Sequence, residues 1–212
     1  MRKEHVLVAA LLLLTLPGVI PASIITASPN PSDLGDLNHD TVWTWRIDSI
    51  NLGGDEITSA SLTLAGIYNS DNSSNRLFLH LLDSVPNAGT AHRSDPYSYI
   101  RDYFLTPSSS FAPQPGASNV LLAAPSFAGG QANKVDYIYT FTAEQLTMLQ
   151  SFIANNGNVA FGLDPDCHYY NSGISFQMTT AHAPEPGTSL LVGLCLAFGV
   201  PVLRRFARTI SR

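Results

Sequence analysis

Apolar and polar residues alternate along several short segments of this chain, and the alternation predicts β-strands. In residues 41–50, for example, Trp43, Trp45, Ile47 and Ser49 fall on one side of an extended strand. A period of two is typical of a strand that buries one face. The same pattern, broken by turn residues, predicts strands over residues 41–50, 57–68, 77–82, 97–105, 120–123, 135–141, 159–163 and 174–179.

One segment has the spacing of a helix instead. Thr142 is a suitable N-cap, and Gln145 stands three residues later, as a capping box requires. Gly157 follows the apolar pattern and is a typical C-terminal stop. The buried stripe is predicted to consist of Leu146, Leu149, Phe152 and Ile153.

The remaining segments are rich in turn-forming residues. Residues 29–40 are predicted to form a polar leader, and residues 69–75, 106–116 and 164–173 are predicted to form loops. Several short strands separated by turns, with one surface helix, indicate an all-β protein. We expect an antiparallel β-sandwich of jelly-roll type.

The N-terminus has the features of a secretory signal peptide. Arg2 and Lys3 precede an apolar stretch over residues 6–16, which is too short to span a bilayer. Small residues follow, so the predicted signal covers residues 1–22, with a cut as late as Ala27 as an alternative. Export across the inner membrane by the Sec machinery and removal by signal peptidase follow from this prediction. An uncleaved anchor and a buried core helix are the alternatives.

A second apolar stretch lies near the C-terminus. Residues 188–203 are apolar over about the length of a short membrane helix. The basic residues after it favour a cytoplasmic end, which places the preceding domain outside the membrane. A buried strand or helix of the domain is the alternative. The predicted membrane stop consists of Arg204, Arg205 and Arg208.

These C-terminal features together resemble the PEP-CTERM sorting signal. Pro184, Glu185 and Pro186 match the motif that names the family, and the apolar helix and the arginines follow in the family's order. The resemblance implies that residues 184–212 are a sorting signal, cut by an exosortase-type enzyme after transient anchoring. It also implies delivery to the cell surface or extracellular matrix. More loosely, residues 57–62, 77–83 and 164–170 resemble the uncharacterised β-sandwich ectodomains that precede such tails.

Charge and cysteine content narrow the functions of the predicted ectodomain, residues 23–183. The whole chain has a net charge of −5, but this segment has five basic residues against 14 acidic ones, which gives −9. An acidic surface excludes nucleic acid as an expected partner, because nucleic acid is bound through Lys and Arg. Cys167 is the segment's single cysteine, so no disulfide within it is expected. We expect Cys167 to be buried, with an intermolecular bridge as the alternative.

Two acidic segments are candidate Ca²⁺ sites, because Ca²⁺ binds six to eight oxygen ligands. The first has two carboxylates and an amide within one predicted loop, and the second begins like a calcium loop but lacks the Gly and Glu of an EF-hand. A tight turn without metal and a solvated leader are the respective alternatives. The candidate ligands are Asp164, Asp166 and Asn171 in the first segment, and Asp36, Asn38 and Asp40 in the second.

Catalytic motifs are missing from the sequence, so we expect a protein that is not an enzyme. It contains no nucleophile elbow, zinc-protease motif or phosphate-binding loop. His80, in the middle of a predicted strand, is expected to be a core histidine with satisfied hydrogen bonds. We expect a structural or glycan-binding role in an exopolysaccharide matrix or biofilm, with a secreted hydrolase of matrix polysaccharide as the alternative. The following aromatic residues form either a sugar-stacking platform or part of the core: Trp43, Trp45, Tyr97, Tyr99, Tyr103, Tyr137 and Tyr139.

Overall fold

Two antiparallel sheets pack face to face in the computed structural model, which describes residues 22–95, 102–105 and 118–182. The predicted mainly-β sandwich with one helix is therefore confirmed. The strands are β1 (Ser23–Ala27), β2 (Thr41–Ile47), β3 (Asp55–Asn69), β4 (Leu77–Leu82), β5 (Gly89–Ser94), β6 (Asn119–Ala123), β7 (Val135–Thr140), β8 (Val159–Pro165), β9 (Tyr169–Tyr170) and β10 (Gly173–His182); helix α1 is Ala143–Asn156.

The strand order is different in the two sheets. Sheet 1 has the order β1-β10-β3-β7, and the short strand β9 also pairs with β3. Sheet 2 has the order β5-β2-β8-β4-β6. The chain passes from one sheet to the other between β1 and β2, β2 and β3, and β3 and β4, so most neighbours within a sheet are distant in sequence. This order brings the start of β1 beside the end of β10, with Ser23 opposite Thr180.

The core lies between the sheets because the inward face of each strand is apolar. Leu79 and Phe161 from sheet 2 are fully buried, as are Leu64 and Phe176 from sheet 1. The rings of Phe161 and Phe176 are 5.0 Å apart between centroids, which is a direct contact between the two sheets. Burial of apolar area at this interface supplies the main driving force for the fold.

The outer face of sheet 2 is also covered. A 3₁₀ turn at Tyr103–Leu105 lies against it and forms a second apolar cluster that includes Val42 and Leu82. Phe104 fits above Gly162, where a Cβ atom would lie 2.5 Å from the end of the ring. Strand β8 is therefore buried along its whole length, from Val159 to Pro165.

Helix α1 is delimited as the sequence predicts. The Thr142 side chain accepts a hydrogen bond from Gln145 N, while Gln145 Oε1 accepts one from Thr142 N at 2.9 Å. Gly157 ends the helix with φ of +66°, a left-handed conformation that glycine adopts without strain. Three of the four residues in the predicted stripe, Leu149, Phe152 and Ile153, are buried, and Leu146 is half-buried against the core.

Several local predictions were wrong. Residues 103–105 form the 3₁₀ turn instead of the end of a strand over 97–105, whose residues 97–101 lie outside the described part. The leader over residues 29–40 contains Leu34 and Leu37, which are fully buried in the main core. Three short strands were not predicted at all: β1, β5 and β9.

Several segments with predictions lie outside the described residues. They are residues 1–21 of the signal peptide, the loop over 106–116, and the sorting segment 184–212 with its apolar stretch at 188–203. None of the helices in the described part is long and apolar enough to cross a bilayer.

Candidate functional site

The two predicted calcium segments lie together at one end of the sandwich. Leu37 and Tyr169 form an isolated antiparallel bridge, with hydrogen bonds of 3.1 and 2.9 Å between their backbones. Asp36 Oδ2 lies 3.2 Å from His168 Nδ1, so the side chains of the two segments also meet. We call this region the loop end, defined by residues 33–40, 69–76 and 165–173. Pairing between the two segments could not be read from their positions about 130 residues apart.

Most of the candidate calcium ligands are engaged with the protein itself. Asp166 Oδ1 accepts a hydrogen bond from Arg76 N. The Asn171 amide donates to Asp33 O at 2.9 Å, and its oxygen accepts from Gly173 N at 3.0 Å. Asn38 Oδ1 accepts from Asp40 N at 3.2 Å. The contacts of Asn38 with Asp40 N and of Asn171 with Gly173 N are Asx turns, in which the side chain stabilises the local backbone. The contacts of Asp166 with Arg76 N and of the Asn171 amide with Asp33 O join separate segments of the loop end.

Asp164 lies in strand β8 rather than in the loop end. It is 2% exposed, on the outer face of sheet 2, and its Oδ2 accepts a hydrogen bond from Tyr103 N at 2.6 Å. Within the described ranges, no group of three or more His, Cys, Asp or Glu side chains is placed to hold a metal ion. The geometry favours the turn alternative, while the calcium assignment itself stays a prediction.

Burial changes the acidity of several groups near Asp164. Loss of solvation raises the pKa of Asp164 to about 7, and the neighbouring carboxylates Asp95, Asp102 and Asp166 add to the rise. The hydrogen bond from Tyr103 N acts in the opposite direction. Loss of solvation likewise raises the pKa of Asp166. Loss of solvation and repulsion by neighbouring carboxylates both favour the neutral form of a buried carboxyl group.

His80 is buried and satisfied, as predicted. Its Nε2 lies 2.8 Å from Asp102 Oδ2, and its Nδ1 lies 2.7 Å from Asn119 Oδ1. Asn119 uses its amide group to donate to Phe104 O at 2.6 Å, which leaves its oxygen to face the imidazole. Both ring nitrogens therefore have a polar partner, so neither is left unsatisfied in the core. The network fastens the 3₁₀ turn to sheet 2, so we interpret it as structural.

Cys167 is half-buried at the loop end rather than buried in the core. Its sulfur lies 3.6 Å from Asp71 Oδ2 and 3.7 Å from Ser70 Oγ. Loss of solvation raises the pKa of the thiol, and the nearby Asp71 carboxylate also contributes to the rise. Because the thiolate is the nucleophilic form, this environment makes the thiol less reactive.

The aromatic residues proposed as a sugar platform are mainly structural. Trp45 is 3% exposed and packs against Phe161, with 5.5 Å between the ring centroids. Tyr103 is buried in the second apolar cluster. Trp43, Tyr137 and Tyr139 are half-buried against the main core, while Tyr97 and Tyr99 lie outside the described residues. The core alternative is therefore the correct one for the described members of this set.

An aromatic pair that the sequence analysis missed is exposed on sheet 1. Tyr68 of β3 lies opposite Tyr170 of β9, and the rings stack with centroids 5.2 Å apart and planes inclined by 25°. Tyr170 is 40% exposed. The two residues are distant in sequence, and β9 was predicted to be a loop, so no local pattern could reveal the pair.

Two grooves border helix α1 at the opposite end from the loop end. One has a volume of about 400 Å³ and includes Asp55, and the other has a volume of about 570 Å³ and includes Glu56. Gln150 lies between them and bonds to the backbone of β3 through Ile57 N at 2.9 Å. Asp55 Oδ2 accepts a hydrogen bond from Thr180 at 3.3 Å. Each groove thus has a single carboxylate among its described lining residues.

Comparison with known proteins yields no matching family model and no matching curated protein.

Proposed function

We propose that this chain is an exported protein of the cell surface or extracellular matrix, with a non-enzymatic ectodomain that has a structural or glycan-binding role in a polysaccharide matrix. One observation carries the proposal: Pro184, Glu185 and Pro186 precede an apolar stretch and a cluster of arginines at the C-terminus. An exosortase-type enzyme processes this tail after signal peptidase and the Sec machinery have exported the chain. The apolar stretch at 188–203 anchors the protein only transiently.

The strand order supports a jelly-roll ectodomain. In this fold, eight strands form two four-stranded sheets through two Greek keys. With β5 treated as an added edge strand and β9 as a short side strand, the remaining strands form the orders β1-β10-β3-β7 and β2-β8-β4-β6. In a Greek key, a long connection returns the chain to a position beside the first strand. Both strand orders share this feature.

The positions of the described chain ends are compatible with processing at both termini. Ser23 pairs with Thr180, so the first and last strands leave the sandwich side by side. The loop end lies at the other end of β10, whose 10 residues span about 30 Å. The loop end and the last residues of β10 therefore lie at opposite ends of the sandwich.

The carboxylates of the described part give the hydrolase alternative less support. A glycoside hydrolase needs two carboxylates about 5 to 10 Å apart in a cleft that admits the sugar. Asp164 and Asp102 are buried under the 3₁₀ turn, where a polysaccharide has no access. The two grooves beside α1 contribute one carboxylate each, Asp55 and Glu56.

The sorting proposal is tested by replacing Pro184, Glu185 and Pro186 with alanine. We expect the variant to stay in the membrane fraction at a higher apparent mass, because the processing enzyme no longer recognises the tail. The chain itself provides a matched control, since residues 112–116 read Ala-Pro-Gln-Pro-Gly and residues 183–187 read Ala-Pro-Glu-Pro-Gly. Alanine at Pro113, Gln114 and Pro115 should leave fractionation and mass unchanged.

A single substitution sharpens the test. Glu185→Gln makes the tail pentapeptide identical to the internal one, so its effect isolates the contribution of the carboxylate. We expect processing to slow in immunoblots of cell, membrane and medium fractions. Normal release of the triple-alanine variant into the medium would refute the sorting proposal.

A further inference from the structure

The outer faces of the two sheets differ in what covers them. Sheet 2 is covered by the 3₁₀ turn and its apolar cluster, whereas the outward positions of sheet 1 are solvent-accessible along β3, β7 and β10. The outward residues of β3 and β10 are mainly small or hydroxyl-bearing, whereas β7 presents Asp136 and Ile138 beside Thr140. The uncharged polar residues of this face are Ser61, Thr63, Thr140, Ser175, Gln177 and Thr179. In the described part of the chain, the area formed by β3 and β10 is open and polar, so it offers many weak hydrogen-bonding groups to a partner.

The stacked Tyr68 and Tyr170 lie on sheet 1 at the loop end. The pair combines a broad aromatic surface with two phenol hydroxyls, and neither hydroxyl is hydrogen-bonded to another part of the described chain. Aromatic rings with a polar edge suit ligands that have both apolar and hydrogen-bonding surfaces. Because the two rings stack on each other, they hold a fixed orientation before any ligand binds.

Three polar side chains lie close to Gly66, next to the pair. A Cβ atom at Gly66 would lie 2.6 Å from Ser172 Oγ, so glycine makes room for the Ser172 side chain, and the same Cβ would lie at an ordinary contact distance of 3.9 Å from Lys134 Cδ. Asp136 Oδ1 accepts a hydrogen bond from Gly66 N at 2.7 Å, which fixes the carboxylate at the same place. Gly66 is two residues before Tyr68 in β3, and Ser172 is two residues after Tyr170, in the turn between β9 and β10.

The polar groups around Gly66 offer both donors and acceptors. In the described ranges, Lys134 has no carboxylate within ion-pair distance, so its ammonium group is available as a donor. Asp136 has used one oxygen on Gly66 N, and its second oxygen is an acceptor. A donor, an acceptor and a hydroxyl beside an aromatic surface match neighbouring hydroxyl groups on a sugar ring.

We propose that Tyr68, Tyr170, Ser172, Lys134 and Asp136 form a subsite for a neutral pyranose unit of a polysaccharide. The sugar ring packs its apolar face on Tyr170, and its hydroxyl groups bond to Lys134, Asp136 and Ser172. The net charge of −9 on residues 23–183 disfavours an anionic polysaccharide, and the hydroxyl-bearing residues of β3 and β10 continue the contact along the chain of a neutral one. This inference rests on the proposed glycan-binding function and gives it a location.

Affinity electrophoresis of the full chain in a non-ionic detergent tests the subsite. Native gels contain hydroxyethylcellulose, dextran or mannan as neutral probes, and polygalacturonate or alginate as acidic ones. We expect a neutral probe to retard the wild type, and Tyr170→Ala to weaken that binding about tenfold, as truncation of an aromatic anchor does. Tyr170→Phe keeps the ring and should bind within about twofold of the wild type. Lys134→Ala and Tyr68→Ala should each weaken binding.

Leu121→Ala is the matched control, because Leu121 is 41% exposed, close to the 40% of Tyr170, but lies in sheet 2. It should bind like the wild type, and thermal melting by circular dichroism confirms that each variant is folded. Unchanged binding by Tyr170→Ala, Tyr68→Ala and Lys134→Ala would overturn the subsite and leave glycan binding in place. The neutral-sugar assignment would be overturned if none of the neutral probes, or only the acidic ones, retarded the wild type. The sorting proposal is judged separately, through the variants of Pro184, Glu185 and Pro186.

Discussion

Replacing Asp164 with asparagine should remove a large part of the domain's pH dependence. Asp164 is 2% exposed, and loss of solvation together with three neighbouring carboxylates raises its pKa from 3.8 to about 7. The folded state therefore binds a proton that the unfolded state has already released between these two pH values. Stability must fall as the pH rises through this window, since the unfolded state binds fewer protons there.

The size of this effect follows from the two pKa values. A tenfold change in proton affinity corresponds to about 1.4 kcal/mol, so the ionised carboxylate costs the folded state about 4 kcal/mol above pH 7. At pH 4.5 the same penalty is about 1 kcal/mol. Asparagine is uncharged at both values and can still accept the hydrogen bond from Tyr103 N. The wild type should therefore lose about 3 kcal/mol more than Asp164→Asn between pH 4.5 and pH 8.

Urea unfolding followed by tryptophan fluorescence measures this difference. The chain has two tryptophans, Trp43 and Trp45, both in β2, so the signal reports on the sandwich alone. Asp48→Asn is the control: it removes an exposed carboxylate, paired with Arg46 at 2.8 Å, and so measures the effect of losing a surface carboxylate in the same assay. Parallel profiles for the wild type and Asp164→Asn would refute the reasoning.

Three further predictions concern the cover, the helix and the calcium segments. Gly162→Ala places a methyl group against the Phe104 ring and should lower the free energy of unfolding by about 1 to 3 kcal/mol in urea titrations, with an unchanged midpoint contradicting the packing. Thr142→Ala removes the capping box and should cost about 1 kcal/mol, whereas Thr142→Ser should restore most of it. Equal melting temperatures are expected in calcium and in EDTA, because the side chains of Asp166 and Asn171 are engaged with the protein; a rise of several degrees in calcium would establish a site.

Local patterns were sufficient for the elements that bury one continuous face. Strand β4 has the predicted bounds, Leu77–Leu82, because its alternate leucines face the main core. Thr142 and Gly157 delimit helix α1. The Thr142 side chain and the backbone conformation of Gly157 each act on residues only a few positions away. In both cases the information needed lies inside the segment itself.

Edge strands and covering segments could not be predicted in the same way. Strand β5, Gly89–Ser94, has no buried residue, so it has no apolar alternation to detect. Residues 103–105 are apolar because they cover sheet 2, and that pattern suggested a strand. Whether an apolar tripeptide belongs to a sheet or lies upon one depends on the tertiary structure, to which Gly162 contributes from about 60 residues away.

Prediction of the candidate sites was limited for the same reason, because tertiary structure decides which side chains meet. The sequence identified His80 as a satisfied histidine, although its partners Asp102 and Asn119 come from separate segments. It also selected both acidic segments of the loop end, but it could not show that their side chains cap the backbone. Tyr68 and Tyr170 become a pair only through the antiparallel register of β3 and β9.

The difference between the two outer faces constrains where this domain can bind a partner. On sheet 2, the carboxylates Asp102 and Asp164 are removed from water, which is costly unless hydrogen bonds compensate. His80 and the backbone of Tyr103 supply these bonds, so opening this face would expose apolar residues and break the network. Sheet 1 needs no such rearrangement, since its outer face is already hydrated and its stacked tyrosines are already oriented. Binding there keeps the ordering cost low, which is the reason to look for the ligand on sheet 1 first.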